Sequence, residues 1–371
     1  MRDLIVFGED FGGLPSSTQH IVKYLAKERK VLWVNSIGLR QPRLCWKDAA
    51  RAMSKLCGLG KGGYQLSTAA EKSDIHVVNL KTIPAPASTF SRQLAKNLML
   101  SQLKPLVERY QLDAPLLWIS LPTAADLCGH LGESAVVYYC GDDFSSLAGV
   151  DHHVVAQHEH LLTSQADLIL GASEKICRKF PACKTHHLPH GVDLELFSRP
   201  APRASDLPNR GKPVAGFYGS LSEWLDYDML EQVCTRRPDW DFVFIGPCEL
   251  NQNKLPKREN VFYLGPKPHH ELPCYSQHWD VSLLPFKDNP QIRACSPLKL
   301  MEYLATRTPI ITTDFPALQP YKQYVNLISD SNDLCATLTT AQLQPKLPEN
   351  IVSNASWESR SHFVNWLLEL L

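Results

Sequence analysis

No stretch of this 371-residue chain approaches the ~20 consecutive apolar residues that a transmembrane helix needs. A protein that is soluble or rests on a membrane surface is therefore expected. The opening apolar run, residues 4–7, is too short for a secretory signal and passes at once into Gly8, Glu9 and Asp10. The eleven cysteines are odd in number and include no C-x-x-C pair, which speaks against a disulfide framework or a dithiol redox motif. Reduced, mostly buried thiols of a cytoplasmic protein fit better. Excess charge is lacking too: Lys plus Arg and Asp plus Glu both number 38, so nothing pulls the whole chain toward nucleic acid and no nucleic-acid partner is expected. No G-x-G-x-x-G fingerprint follows any predicted strand, which disfavours a nicotinamide-dependent dehydrogenase.

What the chain does have is length, with 44% hydrophobic residues, enough for two domains with full cores. Short β-branched runs alternate with helical patterns, the signature of parallel sheets covered by helices. Strands are predicted at 4–8, 31–35, 75–80, 116–120, 136–140 and 168–172, and in a second series at 214–218, 242–245, 261–264, 281–285, 310–313 and 326–328. Between the series, residues 185–213 contain the Pro/Arg stretch Arg199-Pro200-Ala201-Pro202-Arg203, which suits an interdomain linker. Two doubly wound domains place their ligand crevices at the carboxyl ends of the strands. The final residues carry Phe363, Trp366, Leu367 and Leu370 at helical spacing, most simply a packing helix.

The most informative segment is Ser296-Pro297-Leu298-Lys299, continuing to Glu302 and followed by the apolar run from Pro309. Ser296 reads as a helix N-cap and Pro297 as the first helical residue. The N–H groups of Leu298 and Lys299, the helix dipole and the Lys299 ammonium would then converge where a diphosphate binds. Glu302, one turn on, can accept hydrogen bonds from sugar hydroxyls. Taken alone, the segment also fits an ordinary capped helix packing Leu300, Met301 and Leu304 on a sheet.

Other strand-end loops add chemistry. Gly12 and Gly13, with Glu9, Asp10, Ser16, Ser17 and Gln19 around them, would let a ligand approach the backbone, or simply turn a strand into a helix. Asp142 and Asp143 end the fifth strand. Paired acids there can supply a general base, unless Asp143 caps a following helix and Asp142 is merely solvated. Gly216, Tyr218, Gly219 and Ser220 close the first strand of the second series, where glycines admit a phosphate. His186, His187 and His190 fit no zinc spacing, so no metal site is expected; His190, beside Gly191, reads better as a cleft residue that hydrogen-bonds substrate. Residues 40–61 hold six basic residues against the single acid Asp48, interleaved with Trp46 and leucines. Such a stretch can lie in an anionic membrane interface, or form a solvated cationic face.

In this order the motifs resemble a glycosyltransferase of the GT-B fold, in particular the group-1 or family-4-like enzymes of bacterial polysaccharide and teichuronic-acid synthesis. The resemblance covers nearly the whole chain. It implies two Rossmann-like doubly wound domains facing a central cleft: residues 1–200 binding acceptor, residues 201–355 binding the nucleotide sugar, and residues 356–371 a C-terminal helix with the first domain as a surface to pack on. It further implies a diphosphate on Gly219, Ser220, Leu298 and Lys299, Glu302 on the ribose, and the loop with Pro266 and Lys267 near the base. Such enzymes generally need no bound metal or other cofactor. The substrate would be a UDP- or GDP-sugar, the acceptor a lipid-linked or polysaccharide molecule, and the setting the cytoplasmic face of a membrane.

Two departures stand out. Family-4 enzymes usually carry a second glutamate eight residues before the one at Glu302, and here that position is Ala294. The basic pair common after the Gly-rich strand is also missing from residues 220–226. A retaining mechanism is therefore not assured. In inverting relatives an aspartate of the first domain deprotonates the acceptor, and Asp142, Asp143, Glu9 and Asp10 are the candidates. The rival readings are a nucleotide-sugar epimerase on the same fold and a non-catalytic sugar-binding or scaffold protein.

Overall fold

A computed structural model describes residues 1–13, 15–39, 74–147 and 150–371; the basic segment at 40–61 lies outside the described residues. The chain forms two compact units, residues 1–189 with 357–371, and residues 190–356.

The first unit is built on strands β1 (Leu4–Phe7), β2 (Val31–Val34), β3 (Ile75–Val78), β4 (Leu116–Ile119), β5 (Ala135–Cys140), β6 (Leu168–Gly171) and β7 (Thr185–His187). They lie in the order β3-β2-β1-β4-β5-β6-β7, all pairs parallel. Strands β1, β2, β4, β5 and β6 are buried along their whole length, because helices cover both faces of a parallel sheet and leave no residue to face water. The second unit carries β8 (Val214–Tyr218), β9 (Asp241–Ile245), β10 (Val261–Tyr263), β11 (Val281–Leu284), β12 (Ile310–Thr313) and β13 (Asn326–Ile328), in the order β10-β9-β8-β11-β12-β13 and again parallel. Both sheets reverse direction beside their first strand, at β1/β4 and at β8/β11. That reversal opens a crevice at the carboxyl ends of the strands.

Among the described residues the longer α-helices are α1 (Ser17–Leu25), α2 (Thr89–Arg109), α3 (His152–Gln165), α4 (Tyr227–Arg236), α5 (Leu298–Thr306), α6 (Ser331–Gln342) and α7 (Trp357–Glu369). Side-chain caps start five of them: Ser16, Ser88, Asp151, Asp226 and Asp330 each accept a first-turn N–H. Helix α7 packs in the first unit, with Trp357 stacked on His20 of α1 at 4.6 Å between ring centres. Arg29 reaches Glu369 at 3.2 Å.

The stretch expected as a linker is structured. Residues Thr185–His187 add the edge strand β7, which a run of Thr and two His does not announce, because its pairing with β6 rather than its own pattern makes it a strand. The Pro/Arg stretch at 199–203 is fastened to the second unit: the Ala201 N–H donates to Gln277 Oε1 at 2.9 Å, and the Gln277 amide donates to the carbonyls of Phe197 and Arg199. His190 and Gly191 likewise belong to the second unit, where the Val192 N–H bonds to the carbonyl of Ala355 at 2.9 Å.

Candidate functional site

In the second unit, strand β8 delivers Gly219 to its carboxyl end with φ at +135°, a backbone that glycine alone adopts without strain. A Cβ there would come within 2.6 Å of Lys299 Cε and Nζ. The next strand ends the same way: Gly246 has φ at +137°, and a Cβ on it would meet the Gly219 carbonyl oxygen at 2.1 Å. These two glycines let adjacent strand-end loops and a lysine side chain crowd one point.

Helix α5 starts at that point, with one correction to its expected cap. The helix begins at Leu298, so Pro297 occupies the N-cap position with φ −72° and ψ 122°, and no side chain caps it. The preceding helix, Pro290–Ala294, leaves only three residues between itself and Leu298, with Cys295 already extended. Ser296 is thereby left outside the first turn, and its hydroxyl caps nothing. The Leu300 N–H closes the turn onto the Pro297 carbonyl at 3.1 Å. The N–H groups of Leu298 and Lys299 have no carbonyl a turn earlier to bond.

Lys299 makes no hydrogen bond or ion pair among the described residues. Its ammonium lies over the Phe217 ring at 5.1 Å and the Phe286 ring at 5.6 Å, and burial pushes its pKa below the usual lysine value. A desolvated cation held by two rings and a helix start, with the Glu302 and Glu249 charges acting on it but no ion pair among the described residues, is arranged for an anion. Glu302, on the same helix, accepts a hydrogen bond from His269 Nε2 at 2.7 Å. His269 also meets Phe197 edge-on at 5.3 Å.

Several expected donor residues take other roles. Gly216 lies inside β8, where a Cβ would fall 1.8 Å from the Trp279 ring; it makes room for a core tryptophan rather than for a phosphate. Tyr218 is 3% exposed, and its N–H donates to Tyr303 Oη at 3.0 Å. Burial first, and then the Glu302 charge, hold its phenol well above the usual range. Lys267 pairs with Asp206 at 2.6 Å and Pro266 is exposed. Ser220 is half-buried, beside Gly219. Sequence reasoning missed His269, which follows the loop it had singled out, and Gly246, although Ile245-Gly246-Pro247 ends β9 much as Tyr218-Gly219 ends β8.

The first unit presents acids instead. Its glycine-rich loop is satisfied from within: the Phe11 N–H donates to Asn35 Oδ1, the Gly12 N–H to Gln19 Oε1 and the Gly13 N–H to the Asp10 carbonyl. Gln19 is therefore part of the loop's scaffold, and Ser17 is buried, so neither faces an acceptor as expected. Ser16 caps α1 and donates to Glu9 Oε2 at 2.9 Å. Asp10 accepts the Ser36 N–H at 3.1 Å.

The paired acids at the end of β5 differ sharply. Asp143 is followed by a turn rather than a helix; it accepts from Ser145 Oγ at 2.6 Å and from Lys179 Nζ at 2.9 Å. Burial alone would raise its pKa, but the bonds from Ser145 and Lys179 outweigh it and hold the group low. Lys179 also reaches Glu159 at 3.2 Å, which accepts the Tyr138 hydroxyl at 2.7 Å. The Asp142 carboxylate makes no hydrogen bond among the described residues. Loss of hydration, then the charges of Glu9 and Asp143, push it up to about 6, although the residue keeps an exposed surface. Glu9 is raised as well, again by burial first.

Two parallel, doubly wound sheets in tandem define the GT-B architecture of α/β glycosyltransferases. Solved structures share it over the whole chain: HepE of Anabaena, in complex with UDP and glucose, has a TM-score of 0.68 at 14% identity, with 100% of both chains covered. A UDP-forming trehalose-phosphate synthase from Burkholderia vietnamiensis has 0.65 at 14% identity, covering 100% of this chain and 97% of that one. Residues 212–341, which span the Gly219 and Lys299 elements, match the family described as glycosyl transferases group 1. A putative teichuronic acid biosynthesis glycosyltransferase, TuaH of Bacillus subtilis, is 30% identical over 221 residues. The match covers 54% of this chain and 56% of TuaH, so the chain spans little more than half the length of that curated relative.

Proposed function

We propose that this chain is a glycosyltransferase of cell-surface glycan synthesis that takes a sugar from a nucleoside diphosphate, UDP or GDP, and places it on a lipid-linked or glycan acceptor. The Lys299 ammonium carries the reading, because among the described residues it has no ion-pair partner and sits beside Gly219 and the open N–H groups of α5. A diphosphate supplies that missing charge. In the reaction the acceptor oxygen attacks the anomeric carbon and the carbon–oxygen bond to the diphosphate breaks. The charge left on the diphosphate falls on Lys299 and the helix start. HepE, solved with UDP and glucose, supports a UDP-type donor.

Asp142 is the group we assign to take the acceptor proton. Of the four candidate acids it alone has a carboxylate with no partner among the described residues; Glu9, Asp10 and Asp143 hold Ser16, Ser36, and Ser145 with Lys179. Ala294, where family-4 enzymes usually have glutamate, is 1% exposed. No carboxylate acts from that position, which favours an inverting reaction that uses the first unit's base. The site we assign is cytoplasmic and peripheral on a membrane, with residues 40–61 toward its anionic surface. No helix among the described residues is long and apolar enough to cross a membrane.

A thermal-shift titration against UDP, GDP, CDP, ADP and dTDP, with and without EDTA, tests the donor site. One nucleoside diphosphate should stabilise the protein selectively, regardless of EDTA, by RT ln(1 + [L]/Kd). The stabilisation should shrink markedly in Lys299→Met, as a roughly ten- to hundredfold higher Kd requires. Equal shifts in wild type and variant would remove Lys299 from the site and the proposal with it.

A further inference from the structure

Glu302 lies one turn along α5 from Lys299, and its carboxylate is held from outside the helix. The Glu302 side chain is 12% exposed and that of His269 15%, and His269 Nε2 donates to Glu302 Oε1 at 2.7 Å. A carboxylate this enclosed needs a partner, and the kind of partner decides what it can still bind. A guanidinium would take both oxygens at once. An imidazole offers a single N–H, so acceptor capacity remains on a group with about four lone-pair sites.

His269 is itself braced. Phe197 meets its ring edge-on at 5.3 Å. The loop that delivers it leaves β10 through Gly265, where φ is +69°, and runs through Pro266-Lys267-Pro268 into a single tight turn, His269–Glu271. The two prolines fix φ along this path. Lys267 and the Tyr275 hydroxyl both hold Asp206, at 2.6 and 2.7 Å. At its start the loop is tied to the strand-end glycines: the Gly246 N–H donates to the Gly265 carbonyl at 2.9 Å, and Gly246 is the residue crowded against Gly219. One run of contacts therefore joins Gly219, Gly246, the loop, His269 and Glu302.

Three residues of helix advance about 4.5 Å, and helical side chains lean back toward the N-terminus. A nucleotide sugar with its diphosphate at Lys299 and the start of α5 thus brings the hydroxyls of a flanking sugar within reach of Glu302. Two sugars flank that diphosphate. The reacting one belongs in the crevice at the β8/β11 reversal, whereas His269 follows β10, two strands out from β8. The sugar on the His269 side is the ribose.

We propose that His269 is a positioning residue of the donor site: it aims the Glu302 carboxylate at the ribose hydroxyls and thereby makes the site prefer ribonucleotides to deoxyribonucleotides. The inference rests on the reading of Lys299 as a diphosphate site and adds what selects the other half of the nucleotide. A carboxylate already fixed in direction loses little freedom on binding. A group placed to read a hydroxyl is left short of a hydrogen bond when that hydroxyl is missing.

The test is calorimetric titration of the full chain with UDP and 2′-deoxy-UDP, or with GDP and 2′-deoxy-GDP if the thermal shift selects guanosine. Wild type should bind the ribonucleotide at least about tenfold more tightly. His269→Gln, whose amide N–H can stand where the Nε2 proton does, should keep most of that preference. His269→Asn is too short to reach, and His269→Phe keeps a ring against Phe197 without the donor. Both should bring the ratio to within about threefold of one by weakening the ribonucleotide alone. Lys299→Met should instead weaken both nucleotides by the same factor and leave the ratio as in wild type. The Gln and Asn variants differ by one methylene, so their contrast stands even where the Phe variant fails to fold. Equal ratios in these two variants, or an equal loss of both nucleotides in His269→Asn, would overturn the inference and leave the Lys299 site standing. A wild type that binds both nucleotides alike would overturn it too, whereas one that binds no nucleoside diphosphate would remove the donor-site reading and this inference with it.

Discussion

The two units share a sheet plan and differ in what they leave unsatisfied at the reversal of strand order. After β1 the loop N–H groups of residues 11, 12 and 13 are taken up by Asn35, Gln19 and the Asp10 carbonyl. The chemistry left there is negative, in Glu9 and Asp142. After β8 the helix-start N–H groups stay open and the unmatched charge is the Lys299 cation. One architecture thus yields an acidic and a basic site, and the choice is made by a few residues at strand ends. In both, the surroundings oppose the charged form of an ionisable group: lost hydration with the Glu9 and Asp143 charges at Asp142, which keeps an exposed surface, and burial at Lys299. Unmet charge of this kind costs folding stability and persists where a ligand or a reacting proton completes it.

Neutralising each charge should break the comparison in a different place. The largest effect belongs to Asp142→Ala, which should lower kcat about 10²–10⁴-fold while leaving the melting shift with nucleoside diphosphate unchanged. Asp143→Asn removes a group already tied to Ser145 and Lys179; it should cost far less, and its acid limb should move to lower pH because one negative neighbour of Asp142 is gone. Comparable losses in both variants would make the pair a structural unit and remove the base. For wild type, kcat should fall as pH drops through about 6, where Asp142 takes up its proton. Lys299→Met comes next: a charge-assisted contact of about 1.5–3 kcal/mol predicts roughly ten- to a hundredfold weaker nucleotide binding, measured by calorimetry. The same variant should melt no lower than wild type, because it discharges a lysine that burial disfavours.

Much of this contrast was legible in the sequence. The alternation of β-branched runs with helical patterns located twelve strands, since period and length are local properties. Lys299 and Glu302 were legible because a helix start and a one-turn spacing are local too. Loops were harder. Gly216 and Gly219 look alike in Gly-Phe-Tyr-Gly, yet one makes room for Trp279 and the other for Lys299, and only the far side of each contact tells them apart. Asp142 and Asp143 are neighbours whose difference comes from Lys179, 36 residues beyond Asp143. His269 reaches Glu302 across 33 positions. No window of sequence contains such partners.

The smallest effect sharpens the comparison through stability alone. Asp142 has a folded-state pKa of about 6 against an ordinary 3.8, so the folded protein binds this proton more tightly than the unfolded chain does. Above about 6 the ionised group works against folding, and the penalty fades as pH falls through that value. Asp142→Asn removes the charge and nearly keeps the shape. Its melting temperature should therefore exceed that of wild type at pH 8, and the gap should narrow as pH falls below about 6 and close only below the ordinary 3.8. Asp143→Asn should behave in the opposite way, because the folded state favours the Asp143 charge through Ser145 and Lys179: it should melt lower than wild type at neutral pH and approach it only as acid discharges the wild-type group. Parallel curves for the two variants would mean that their environments do not differ as the hydrogen bonds indicate, and that Asp142 is an ordinary solvated carboxylate. Crossed curves would place the strain of the first unit at Asp142 and leave Asp143 as its brace.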